Sequence, residues 1–151
     1  MQQTLCIISG STLGSAEYLA EHCDDIMQQH GIQTALFHGP DWDQVKDYQA
    51  WLLVTSTHGA GDLPDNLLPL FEQIESAVDS LSHLTFSVIG LGNSDYDTFC
   101  FSVDKIEKIL TEKQAVQLCD SLKIDVLSGF DHDQQADNWL PGFIAQLKKT
   151  A

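Results

Sequence analysis

Short apolar runs of strand length alternate along the chain with longer segments in which apolar residues recur every three or four positions. Residues 4–9 (TLCIIS) form a near-continuous apolar run, the pattern of a strand buried on both faces of a parallel sheet. The next apolar positions, Ala16, Leu19, Ala20, Cys23, Ile26 and Met27, keep the 3.6-residue period of a helix with one buried face, and Gly31 marks its end. Residues 33–38 and 51–56 read as a second and a third strand, with only a weak helical signal over residues 43–48 between them.

Beyond the third strand, Asp65 or Asn66 is placed to cap a helix whose core face is Leu67, Leu70, Phe71, Ile74 and Val78. Pro69 fits the first turn of that helix, where a missing N–H costs no intrahelical bond. A fourth strand over 86–90, a helix lined by Phe99, Val103, Ile106 and Leu110, a fifth strand within 116–126 and a last helix marked by Trp139, Phe143, Ile144 and Leu147 complete the pattern. Five strand–helix units without repeat or linker predict one domain over residues 1–151, an α/β fold with a doubly wound parallel sheet. Right-handed crossovers then put helices on both faces.

Charge narrows the function. Seven Lys and no Arg face 22 Asp and Glu, a formal net charge of −15, so a surface that neutralises nucleic-acid phosphates cannot be assembled and an acidic membrane surface repels the protein. The apolar run at residues 5–8 is too short for a signal-peptide core or a membrane span, so a cytoplasmic location is expected. Cys6, Cys23, Cys100 and Cys119 form no CxxC pair and read as reduced, packed thiols. The histidines show no metal-ligand spacing, and Asp131, His132 and Asp133 read as a polar loop.

In open α/β sheets, ligands sit outside the carboxyl ends of the strands where strand order reverses, so chemistry is sought in the loops after strands one, three and four. The first, SGSTLGSAE over 9–17, joins a strand to a helix start through small and hydroxyl residues, offering backbone N–H groups and the positive end of a helix to an anion. It holds no Lys and matches neither GxxxxGK[ST] nor GxGxxG, which disfavours a nucleotide triphosphatase and suits a single phosphate monoester held by neutral donors. The second, THGAGDLPDN over 57–66, sets Gly59 and Gly61 around Ala60, where a backbone without Cβ approaches a flat ring closely. The third, GLGNSDYDTFC over 90–100, brings Tyr96 to lay its ring against the same ligand. A planar group between these loops, with its phosphate anchored in the first, has the shape of flavin mononucleotide (FMN).

The segments GSTLGSAEY, STHGAGDLPDN and GLGNSDYDTFC resemble the three FMN loops of the flavodoxins and of the FMN domains of diflavin reductases, and the likeness runs through essentially the whole chain. It implies a flavodoxin-like fold with a five-stranded parallel sheet in the order 2-1-3-4-5, and the lack of a long insertion in the fifth strand resembles the short-chain group. It further implies that Ser11, Thr12, Leu13, Gly14 and Ser15 hold the phosphate and that Thr57, His58, Gly59, Ala60 and Gly61 border the dimethylbenzene and N5 side of the ring. Asn93, Ser94, Asp95 and a stacked Tyr96 would border the pyrimidine side, and Phe99 and Cys100 in the same segment would also be cofactor-binding residues. Two positions depart from the pattern. Ala16 stands where many flavodoxins close the phosphate loop with a second hydroxyl, and His58 stands where many stack a Trp; imidazole stacks more weakly and adds positive charge beside the flavin when protonated.

The resemblance implies an electron carrier without a substrate site of its own. A separate NADP-dependent ferredoxin or flavodoxin reductase would load it, because 151 residues leave no room for an NADPH or FAD domain. Low-potential enzymes such as biotin synthase or other radical-SAM proteins would receive the electrons, and a monomer is expected. The peptide between Gly59 and Gly61 is expected to turn its carbonyl toward the ring N5 on one-electron reduction. A receiver domain of the same fold is disfavoured because Ser9, Gly10 and Thr55 to Thr57 stand where its acidic residues belong. A quinone reductase would need longer loops for a second pocket. A non-redox FMN-binding or regulatory module is the alternative, and partner-dependent reduction separates it from a carrier.

Overall fold

A computed structural model describes residues 4–10, 14–56, 63–92, 101–125 and 132–150, and for Ser15, His132 and Thr150 the backbone alone. In chain order the elements are β1 (Leu5–Gly10), α1 (Ser15–Gln29), β2 (Thr34–His38), α2 (Trp42–Val45), β3 (Ala50–Ser56), α3 (Leu68–Ala77), β4 (Thr85–Gly92), α4 (Phe101–Glu112), β5 (Val116–Gln117), β6 (Leu122–Asp125) and α5 (His132–Thr150). All strand pairings are parallel, in the order β2-β1-β3-β4-β5, with β6 also on β4. This is the doubly wound order expected from the sequence.

The apolar runs sit centrally because both faces of the sheet are covered. Leu5, Ile7, Leu52, Val54, Ile89 and Leu91 point to one side, where Leu19, Cys23 and Met27 of α1 and Leu140, Phe143 and Leu147 of α5 meet them. Cys6, Ile8, Trp51, Leu53, Phe86 and Val88 point to the other, against Val45 of α2, Phe71 and Ile74 of α3, and Ile106 and Leu110 of α4. Period-two alternation along each strand thus splits one apolar run into two layers. Cys6 and Cys23 are buried and free within them, as expected, and Cys119 is half-buried and free; Cys100 lies outside the described residues.

Four local readings change, the first being the polar loop expected over 131–133, of which His132 and Asp133 open α5. The fifth strand is two short pieces on the same edge of β4: Thr85 and Phe86 pair with Val116 and Gln117, and Ile89–Gly92 pair with Leu122–Asp125, the register advancing by two residues between them. Side chains close the gap. Gln117 Nε2 donates to the Cys119 carbonyl at 3.0 Å, Ser121 Oγ donates to Glu107 Oε1, and Trp139 Nε1 donates to the Asp120 carbonyl at 3.0 Å. Neither Asp65 nor Asn66 caps α3: its N-cap is Leu67, and the Pro64 carbonyl accepts from the N–H groups of Leu67 (2.9 Å) and Leu68 (3.2 Å). Pro69 does occupy the first turn. The weak signal around residues 43–48 becomes the four residues of α2, held by a capping box in which the Asp41 side chain meets the Gln44 backbone and Gln44 Oε1 accepts from the Asp41 N–H at 3.0 Å.

Candidate functional site at the carboxyl edge of the sheet

Because every strand runs the same way, the segments after β1, β3 and β4 all leave from one edge. Gly10, Thr55 and Gly90 are register partners across these strands, so their ends, Gly10, Ser56 and Gly92, are level within about two residues at the usual strand spacing of about 4.8 Å. Strand order reverses here: β1 has β2 on one side and β3 on the other.

The edge of β1 is built from small and neutral groups. At Gly10 a Cβ would stand 2.2 Å from Leu67 Cγ and 2.9 Å from Asn66 Oδ1, so only glycine lets the chain pass this point. Beyond it, Gly14 takes φ +88° as the N-cap of α1 and brings no side-chain acceptor to the helix start. The first-turn N–H groups and the positive end of a 15-residue helix therefore lie at the edge where β1 ends. Ala16, one of the two departures from the family pattern, is fully buried in the apolar layer with Leu5 and Ile7, so its methyl packs against the core.

Behind this edge lies a polar cluster that sequence reasoning missed. Ser9, fully buried, is hydrogen-bonded through Oγ to His38 Nδ1, and Glu21 Oε1 lies 3.6 Å from His38 Nε2. The Ser9 carbonyl accepts from the Gly39 N–H at 2.9 Å. Asn66 Nδ2 donates to Glu17 Oε1 at 3.2 Å, bridging the segment before α3 to the first turn of α1. In the sequence the DN pair points to a cap, because side-chain length and polarity alone do not say which neighbour a residue reaches. No group of three or more His, Cys, Asp or Glu among the described residues is arranged to hold a metal.

Of the cofactor-binding residues expected from the sequence, Gly14 and the backbone of Ser15 fall within the described structure, at the start of α1. Ser11, Thr12, Leu13, Thr57, His58, Gly59, Ala60, Gly61, Asn93, Ser94, Asp95, Tyr96, Phe99 and Cys100 lie outside the described residues. The structure gives the strand ends from which their segments depart.

Residues 7–139 match the Flavodoxin family. The chain belongs to that family. It is 54% identical over 144 residues to a protein MioC homolog of Haemophilus influenzae, covering 95% of this chain and 99% of that one, and 42% identical over 147 residues to protein MioC of Escherichia coli, covering 95% and 98%. Its fold superposes on a mutant of flavodoxin from Pseudomonas aeruginosa with a TM-score of 0.89 at 33% identity, over 96% of this chain and 99% of that one. It is thus a flavodoxin-like protein of the MioC type, for which a flavin cofactor, electron transfer and redox partners are implied. The described residues are compatible with such a group: a close-approach glycine at Gly10, a start of α1 without a side-chain cap and the level ends of β1, β3 and β4 bring backbone N–H groups to one edge.

Proposed function

We propose that this flavodoxin binds FMN and carries electrons from an NADP-dependent flavodoxin or ferredoxin reductase to low-potential acceptor enzymes, radical-SAM proteins such as biotin synthase among them. It acts in the cytoplasm as one domain without a substrate of its own. The observation that carries this reading is the start of α1 at the carboxyl end of β1, beside the strand-order reversal and without a side-chain cap or a basic residue. Residues Ser11 to Ser15 would hold the phosphate through backbone N–H groups and hydroxyls, and charge-assisted hydrogen bonds of about 1.5–3 kcal/mol each suffice without an Arg or Lys. Residues 57–61 and 93–96 would flank the ring, with His58 and Tyr96 on its two faces.

Bound there, the flavin supplies one- and two-electron chemistry. The chain's own part is to hold it, exclude water and set its potential. Among the described residues no helix is long and apolar enough to cross a membrane. With a net charge of −15, the protein presents an acidic surface to which partners with basic docking faces are steered in a salt-dependent way.

Two titrations and one transfer assay test the reading. FMN is expected to bind far more tightly than riboflavin, and a reductase with NADPH is expected to bleach the bound flavin anaerobically. Equal binding of the two ligands would overturn the phosphate assignment. Tight FMN binding with no reduction by any reductase would leave a non-redox binding module.

A further inference from the structure

The hydrogen bond from Asn66 to Glu17 belongs to neither apolar layer, and the side chain that makes it is held at a cost. Asn66 Oδ1 is buried with no hydrogen-bond partner among the described residues, so its desolvation goes uncompensated. The same side chain is wedged between two glycines. A Cβ at Gly10 would lie 2.9 Å from its Oδ1, and one at Gly39, where φ is +61°, would lie 3.0 Å from its Cβ. It therefore sits in the notch where β1 and β2 both end, and from there its Nδ2 reaches the first turn of α1. A buried polar group kept unsatisfied by its surroundings calls for a use.

We propose that Asn66 is the positioning residue for the phosphate end of the flavin site. Its contact with Gly10 fixes where the chain leaves β1, and its bond to Glu17 fixes the first turn of α1, the two ends of the segment that carries Ser11, Thr12 and Leu13. This inference rests on the reading that residues 11–15 hold the phosphate, and it adds what ties the described positions on either side of residues 11–13, Gly10 and Glu17, to one side chain. An amide is the group the position requires. It donates an N–H to the Glu17 carboxylate without bringing a charge next to the anion, whereas Asp would set two carboxylates against each other and Ala would leave Glu17 Oε1 without this donor.

FMN and riboflavin are titrated into the wild-type protein and into Asn66→Asp, Asn66→Ala and the double variant Asn66→Asp/Glu17→Gln, with thermal unfolding recorded for each. Asn66→Asp and Asn66→Ala are expected to lose about tenfold or more in FMN affinity, the scale of one charge-assisted hydrogen bond. Riboflavin affinity should stay nearly constant, so that the FMN-over-riboflavin ratio falls. The double variant keeps the wild-type net charge and restores the bond with its direction reversed, an amide in the first turn of α1 donating to a carboxylate ahead of α3, and it is expected to recover most of the ratio. A loss of folding alone would lower both affinities together and leave the ratio unchanged, which would overturn the proposal. So would a wild-type preference for FMN that persists in every variant, or a double variant as weak as Asn66→Asp. A wild-type protein that does not distinguish FMN from riboflavin would instead remove the phosphate reading on which the inference stands.

Discussion

At the amino edge of the sheet the chain enters its strands through backbone hydrogen bonds to a neighbour: Leu5 N–H to the Gln33 carbonyl, Thr85 to Gln49 and Val116 to Leu84, each at 2.9 Å. At the carboxyl edge the strands β1 and β4 end on glycines, Gly39 follows β2, Ser9 and Thr55 are buried, and the Asn66 amide oxygen has no partner among the described residues. One edge is closed by backbone hydrogen bonds, and the other keeps glycines, buried hydroxyls and a partly unsatisfied amide that meets the Glu17 carboxylate. The asymmetry follows from parallel topology: helices start at the carboxyl edge and bring their positive ends there. Stability and function should therefore respond to different edges.

The largest separation is expected at Trp51, second residue of β3 and fully buried near the amino edge. Its ring lies edge-on to Trp42 with centroids 6.2 Å apart, and Nε1 donates to the Val45 carbonyl at 3.3 Å. Trp51→Ala should cost about 3–5 kcal/mol of stability in a urea titration. The FMN-over-riboflavin ratio of the folded fraction should be unchanged. A fall in that ratio would mean that the two edges are coupled through the core.

Glycines at opposite edges give a smaller and sharper contrast. A Cβ at Gly10 collides with Leu67, so Gly10→Ala should cost about 1–3 kcal/mol and, by moving the exit of β1, lower FMN affinity at least as much as Asn66→Asp. Gly31, between α1 and β2, takes φ +76° with nothing within 4 Å of a Cβ. Gly31→Ala is therefore strained by about 1 kcal/mol and should leave FMN affinity as it was. Equal effects on affinity would sink the comparison.

The thiols between the edges give a pH test. Burial pushes Cys6 up to about 12, and burial reinforced by Asp133, Asp137 and Asp24 pushes Cys23 up to about 12, from an ordinary value of 9.0. A raised folded-state value means that the neutral thiol is favoured in the fold. Its contribution is fully present below pH 9 and is lost as pH rises toward 12. Stability should fall over that alkaline window, and both thiols should resist alkylation at pH 8 until the protein unfolds. Rapid labelling of either in the folded protein would show that the interior opens far more readily than its packing implies.

How much of this was legible in the sequence follows the same division. β1, β3 and β4 were readable because burial on both faces writes a continuous apolar run, and α1 because one buried face writes a 3.6-residue period. The fifth strand does not read as two pieces because its break is made by side chains of Gln117, Ser121 and Glu107 that meet only after folding. At the carboxyl edge the glycines and the helix start were legible as types. Asn66 reads as a cap because its partner Glu17 is 49 residues away. The Ser9–His38 pair, 29 residues apart, leaves no local signal for the same reason.

The smallest effect expected is on the reduction potential, and it bears on the acidic character of the chain. Asp62, Asp95 and Asp97 fall in the loops over 57–66 and 90–100, within or next to the residues proposed to flank the ring, whereas Asp79 is exposed between α3 and β4 at the amino edge. Adding the last electron puts negative charge on the flavin, which nearby carboxylates oppose. At about 10 Å and an effective dielectric near 20, one charge contributes roughly 1–2 kcal/mol before screening, or about 60 mV on a one-electron scale. Each of Asp62→Asn, Asp95→Asn and Asp97→Asn should raise the potential of the last electron by some tens of mV at low salt and by less at high salt. Asp79→Asn should move it little, because it precedes the far end of the eight-residue β4, about 25 Å of strand from the carboxyl edge, well beyond a Debye length of about 10 Å at 0.1 M salt. Equal shifts from all four would assign control of the potential to net charge as a whole. A shift confined to the three would place its control at the same edge that is proposed to hold the cofactor.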